Sequence, residues 1–140
     1  MFGLNVIVVD ASVLAVALGD DGTDGRAARR RLADETLAAP ELIDLEVTSV
    51  WRRQVGARLM PARRAADVVS DLANLPLRRS SHRPLLGRIW QLRQAVIPCD
   101  AAYIALAEVL NVVMVTADRR QHGPRASNAT SRFWNPGAVH

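Results

Sequence analysis

The hydrophobic positions of this chain come in two patterns: short runs that are apolar throughout, and longer stretches with apolar residues every three or four positions. Val6-Ile7-Val8-Val9 is the first kind, four consecutive β-branched residues too uniform for a solvated face, and reads as a buried parallel strand. It stops at Asp10, and Ala11 to Leu18 follows as a short helix. Asn111 to Thr116 repeats the motif, an apolar strand that ends in Thr116-Ala117-Asp118. Weaker signals mark a brief strand over Thr36–Pro40, an edge strand over Leu75–Arg79, where proline is tolerated, and a last short strand at Phe133-Trp134.

The second pattern predicts the helices. One starts near Asp24 or Gly25, after the loop Gly19–Gly25, and carries Arg26, Arg29, Arg30 and Arg31. The loop's three aspartates lack calcium-loop spacing. A helix from about Pro40 to Val55 has Leu42, Ile43, Val47, Val50 and Trp51 as its apolar stripe, with Pro40 suited to its first turn. Pro61 opens a helix to about Asn74, and Pro84 to Ala95 reads as another, with Trp90 in its apolar set. Core packing is the favoured role for both Trp51 and Trp90. Asp100 to Glu108 carries no charge between its ends and is expected deep in the domain, with Asp100 as its N-cap.

Strands alternating with helices imply an α/β fold, a parallel sheet with helices on both faces. At 140 residues the chain is expected to be one domain, residues 1–140. No apolar run approaches the ~20 residues that span a bilayer, and Met1 to Asp10 lacks the basic start of a secretory signal. The single cysteine, Cys99, excludes an internal disulfide and a cysteine zinc cluster. A cytoplasmic protein is expected. All eighteen basic residues are arginine. Without lysine there is no P-loop lysine and no Schiff base. Residues 1–50 carry nine acids and four arginines, and residues 51–140 carry five acids and fourteen arginines. A basic second part suits phosphate, although any single arginine is more simply a solvated helix face.

The acids are the candidate chemistry. In open α/β sheets ligands bind at the carboxyl ends of strands, where the order reverses, and Asp10 and Asp118 sit at two such ends. Capping would explain either one alone, but the repetition is harder to explain that way. Glu46 lies four residues after Leu42 and three after Ile43, on or beside a buried face. There it needs a cation or a pair such as Arg52 or Arg53. Asp100 precedes the Asn111–Thr116 strand by one helix. Four converging carboxylates repel one another unless a divalent cation relieves them, and oxygen-only ligands favour Mg²⁺ or Mn²⁺ over zinc. Such a site suits hydrolysis of phosphodiesters with one or two metals.

The ordered set Val8-Val9-Asp10-Ala11-Ser12, Pro40 to Glu46-Val47, Asp100-Ala-Ala-Tyr103 to Glu108, and Val115-Thr116-Ala117-Asp118-Arg119 resembles the PIN-domain ribonucleases, and within them the VapC-type toxins of toxin–antitoxin pairs. The resemblance covers nearly the whole chain. It implies a PIN-like three-layer α/β/α sandwich, with a central, mostly parallel sheet of about four or five short strands. It also implies a Mg²⁺-dependent endoribonuclease, with Mn²⁺ as a possible substitute. By match of motif, Asp10, Glu46, Asp100 and Asp118 would form the catalytic, metal-binding site. Asp10 and Asp100 would be the primary ligands, and Glu46 would hold a water or a second ion. Ser12 and Thr116 would be hydroxyls that fix those carboxylates. Arg119 and Arg120 are the first candidates to meet RNA phosphate or an antitoxin carboxylate, with Arg52, Arg53 and Arg125 behind them. The family implies a homodimer bound by a VapB-type antitoxin. Two other readings compete: a PIN-like fold kept only as a protein- or RNA-binding module, and a plain α/β domain whose acids are caps and ion pairs. An aspartyl phosphatase is disfavoured, since position 12 is serine and lysine is absent.

Overall fold

A computed structural model describes residues 5–117 and the backbone of 131–133. Five strands form one sheet: β1 (Asn5–Val9), β2 (Glu35–Pro40), β3 (Arg78–Ser80), β4 (Met114–Thr116) and β5 (Ser131–Phe133). Their order is β3-β2-β1-β4-β5 and every pairing is parallel. Six helices accompany them: α1 (Ala11–Gly19), α2 (Thr23–Leu32), α3 (Ile43–Gly56), α4 (Ala62–Asn74), α5 (Leu86–Gln91) and α6 (Pro98–Leu110). The chain moves outward from β1 through β2 to β3, then returns through α5 and α6 to place β4 on the other side of β1. Right-handed crossovers therefore put α1 to α4 on one face and α5 and α6 on the other. The packing agrees, with α1 against α2, α3 and α4, and α6 against α5 and strands β1, β2 and β4. This is the expected three-layer sandwich, and the sheet order reverses between β1 and β4.

The two apolar runs are the buried centre. Val8, Val9, Met114 and Val115 are all fully buried, with Val8 in register with Met114 and Val9 with Val115. Opposite them, α6 buries every residue from Ala101 to Ala107, as its lack of internal charge requires. Asn111 ends α6 in the left-handed conformation that asparagine tolerates, and turns the chain into β4.

The last turn of α1 is closed by side chains from three other helices. Arg29 Nη1 donates to the Ala17 and Asp20 carbonyls at 2.9 and 2.8 Å, Arg64 Nη2 to Leu18 at 3.3 Å, and Trp51 Nε1 to Ala15 at 3.3 Å. These donors satisfy a helix end that would otherwise lack partners. The loop before α2 is ordered by Asp20, whose Oδ1 accepts from the amides of Gly22 and Gly25 at 2.6 and 3.3 Å. A Cβ on Gly25 would lie 1.7 Å from the Asp20 carbonyl oxygen, so this approach admits only glycine.

Several local expectations are corrected. Pro40 closes β2, in register with Ser80, and α3 begins at Ile43 after a turn through Glu41 and Leu42. The stretch expected as one helix from Pro84 to Ala95 is a short 3-10 helix, Arg83–Leu85, followed by α5. It offers two apolar stripes. Leu85, Ile89 and Leu92 face in, while Leu86 and Trp90 face out, so Trp90 is 67% exposed with Arg93 4.6 Å over its ring. Trp51, by contrast, is buried as expected. Asp100 does not cap α6: Ile97 holds that position, Pro98 follows in the first turn, and Asp100 lies further along that turn.

Candidate active site

The reversal between β1 and β4 opens on the carboxyl edge of the sheet, where Asp10 leaves β1. Asp10 is 3% exposed. It is the N-cap of α1, and Oδ1 accepts from the amides of Ser12 (2.9 Å) and Val13 (3.3 Å) and from the Ser12 hydroxyl (2.5 Å). The other oxygen, Oδ2, accepts from the Thr116 hydroxyl at 2.5 Å, across the β1–β4 junction. Ser12 Oγ in turn accepts from the Ala117 amide at 3.1 Å. Ser12 and Thr116, the two hydroxyls expected beside the carboxylates, both donate to Asp10. Capping and the candidate chemistry are thus served by one carboxylate, and the cap sets its direction.

Glu46 is half-buried on the first turn of α3. Its partner is not Arg52 or Arg53. The buried Tyr103 of α6 donates its hydroxyl to Glu46 Oε1 at 2.5 Å. Tyr103 carries no site role in the sequence reading, because it sits in an apolar run that reads as core. Asp100 lies half-buried on the first turn of α6, beside Cys99.

Electrostatics show which acids come together. Burial pushes the pKa of Asp10 up, against the lowering effect of its hydrogen bonds from Ser12, Thr116 and Val13. Burial also raises Glu46; the Tyr103 hydroxyl opposes this, and the negative charge of Asp10 adds to it. Burial raises the Cys99 thiol, with further contributions from Glu46 and Asp100. Tyr103 is pushed far up by burial and by Glu46, so it is always a donor. Asp10 thus acts on Glu46, and Glu46 and Asp100 both act on Cys99, near the carboxyl edge. Asp118, Arg119 and Arg120 lie outside the described residues. Among the described residues, no three His, Cys, Asp or Glu side chains are grouped to hold a metal ion.

A PIN-domain family model matches residues 7–125. Ribonuclease VapC12 of Mycobacterium tuberculosis is 39% identical over 124 residues, spanning 89% of this chain and 95% of that protein. The chain belongs to the PIN-domain family, among its VapC ribonucleases. Ribonuclease VapC9 of the same organism is 38% identical to this VapC-family chain over 115 residues, 82% of this chain and 87% of the relative. Two solved structures share the fold at low identity. VapC20 of M. tuberculosis, described as a sarcin-ricin loop cleaving toxin, has a TM-score of 0.61 at 15% identity, over 77% of this chain and 86% of that one. VapBC2 of Rickettsia felis, bound to a DNA fragment from its promoter, has a TM-score of 0.63 at 13% identity, over 93% and 99% of the two chains.

The donors at this edge suit a hard divalent cation. They are carboxylates, two of them raised by burial, and one of these is raised further by its neighbour's charge. A cation reverses both penalties, and it matches oxygen ligands better than zinc would.

Proposed function

We propose that this VapC-family protein is a divalent-cation-dependent endoribonuclease that hydrolyses RNA phosphodiester bonds at the carboxyl edge between β1 and β4. The observation that carries the reading is the buried, doubly oriented Asp10 at the reversal of the sheet, with Glu46 in its field. Asp10 and Asp100 would be the principal ligands, Glu46 and Asp118 would complete the acidic site, and Mg²⁺ would be the cation, with Mn²⁺ able to replace it. When bound, such a cation neutralises charge on the phosphodiester and acidifies water at the site.

The protein's own groups divide the remaining work. Ser12 and Thr116 hold Asp10 in one orientation, so the ligand direction is set before substrate arrives. The Oε1 of Glu46 is taken by Tyr103, which leaves Oε2 to accept a proton from the attacking water. Arg119 and Arg120 would meet RNA phosphate or the antitoxin. We take residues 1–140 as one PIN-like domain that acts in the cytoplasm as a homodimer, with a VapB-type antitoxin as its partner. No described helix is long and apolar enough to cross a membrane.

The test is cleavage of a total RNA pool by purified, antitoxin-free protein with Mg²⁺, Mn²⁺ or chelator, wild type beside Asp10→Asn. Discrete cuts that need both the cation and Asp10 are expected, with a loss of about a hundredfold or more in the variant, the scale of one preorganised electrostatic group. A folded wild type that cuts nothing across the pool would point instead to a binding module.

A further inference from the structure

Glu46 and Tyr103 reach each other from opposite faces of the sheet, α3 on one and α6 on the other, and are 57 positions apart in sequence. Tyr103 is fixed: its ring is 1% exposed in a helix whose neighbours from Ala101 to Ala107 are all buried. Glu46 is not fixed by its own helix. A half-buried glutamate with three rotatable bonds samples several rotamers unless something holds it. The bond from Tyr103 is the one its side chain makes among the described residues. Packing alone would be served by phenylalanine. The hydroxyl adds a short bond to a carboxylate, and it aims that carboxylate at the edge where Asp10 stands.

We propose that Tyr103 is a positioning residue for cleavage: it occupies Oε1 of Glu46 and so fixes how Oε2 is presented to the site. This rests on the endoribonuclease reading above. Asp10 is also held by hydroxyls, from Ser12 on one oxygen and Thr116 on the other.

A double-mutant cycle tests it, with wild type, Tyr103→Phe, Glu46→Ala and the pair. Two readouts are taken: Mn²⁺ affinity of the initially metal-free protein by calorimetry, and kcat and KM for a defined RNA. Tyr103→Phe is expected to lower kcat about tenfold and weaken Mn²⁺ by a similar factor, with KM for RNA changed by less than about twofold. In the Glu46→Ala background the same substitution should change neither quantity. Unchanged kcat and Mn²⁺ affinity in Tyr103→Phe would overturn the proposal. So would an equal loss in the Glu46→Ala background, which would mean that the effect passes through packing.

Tyr103 is the chain's single tyrosine, which provides a check that does not depend on that variant folding. Protein labelled with ¹³C at tyrosine Cζ gives one resonance, which should shift in Glu46→Gln; an unmoved resonance means the bond is absent and overturns the role. The two levels of the argument fail separately. A wild type that binds Mn²⁺ but cleaves no RNA overturns the endoribonuclease reading and, with it, Tyr103's part in cleavage. A wild type that cleaves, with no Tyr103–Glu46 coupling in the cycle, overturns the positioning role alone.

Discussion

Asp10 and Glu46 stand at the same edge and are held in opposite ways. Asp10 has both oxygens occupied, Oδ1 by two amides and the Ser12 hydroxyl and Oδ2 by Thr116, and it is all but sealed from solvent. Glu46 is half open and held through one oxygen by one phenol. The first carboxylate is oriented by the same bonds that start a helix and join two strands, so the fold cannot form without aiming it. The second is attached to the site by a single bond that the fold could lose and survive. One acid is thus part of the framework and the other is adjustable.

The largest stability contrast should come from Asp10 itself. Asp10→Ala removes the cap and the buried Thr116–Asp10 bond, for a loss of about 2–3 kcal/mol in urea unfolding of metal-free protein. Asp10→Asn, which can still cap α1, should stay within about 1 kcal/mol of wild type. Equal losses in the two variants would show that Asp10 is not part of the framework. Thr116→Val should cost about 1 kcal/mol and weaken Mn²⁺ roughly tenfold, since it removes one bond that orients Asp10 and leaves the cap intact. Glu46→Ala should cost no more than about 1 kcal/mol, from the Tyr103 hydroxyl left without its acceptor, while reducing cleavage far more than its stability change explains. A larger unfolding effect at Glu46 than at Asp10 would invert the comparison.

The finest contrast is in pH. Burial raises Asp10 above its ordinary 3.8, so the folded metal-free protein holds that proton more tightly than the unfolded chain does. The stability Asp10 contributes is therefore complete below that ordinary value and is lost as pH rises through the raised folded one. Asp10→Asn cannot titrate there. The stability of wild type minus that of Asp10→Asn should fall with rising pH across this window and then level off. Denaturant midpoints of both proteins from pH 3 upward would show it, and a difference that climbs with pH would reverse the sign.

What the sequence made legible were the features whose meaning is local. Val6 to Val9 could be little but a buried strand, and the uncharged turns after Asp100 could be little but a buried helix. Asp10 was visible because a carboxylate after such a strand is rare without a purpose, and Ser12 and Thr116 because they lie within two residues of an acid. The misreadings share a cause. The segment after Pro84 contains two apolar stripes, Leu85-Ile89-Leu92 and Leu86-Trp90, and spacing does not say which of them turns inward. Pro40 and Pro98 both suit a helix's first turn, yet only Pro98 occupies one, because Pro40 is claimed by its pairing with Ser80. Pro98 also displaced Asp100 from the cap it was expected to hold. Tyr103 was hidden for a different reason. Its ring obeys the core pattern, and only its hydroxyl, meeting a residue 57 positions away, carries the information.

The bonds that join β1 to β4 have a consequence in time. Thr116 meets Asp10 across 106 positions and Ala117 meets Ser12 across 105. Contacts so distant in sequence are among the slowest to form, because a long loop must close before they reward it. On a ribosome, β1, α1 and β2 can pair early, but Asp10 lacks its second clamp until β4 has emerged and docked. A chain interrupted before that point carries three of the four proposed acids and no finished site. The sheet order thus withholds the finished Asp10 clamp until β4 has been made and docked.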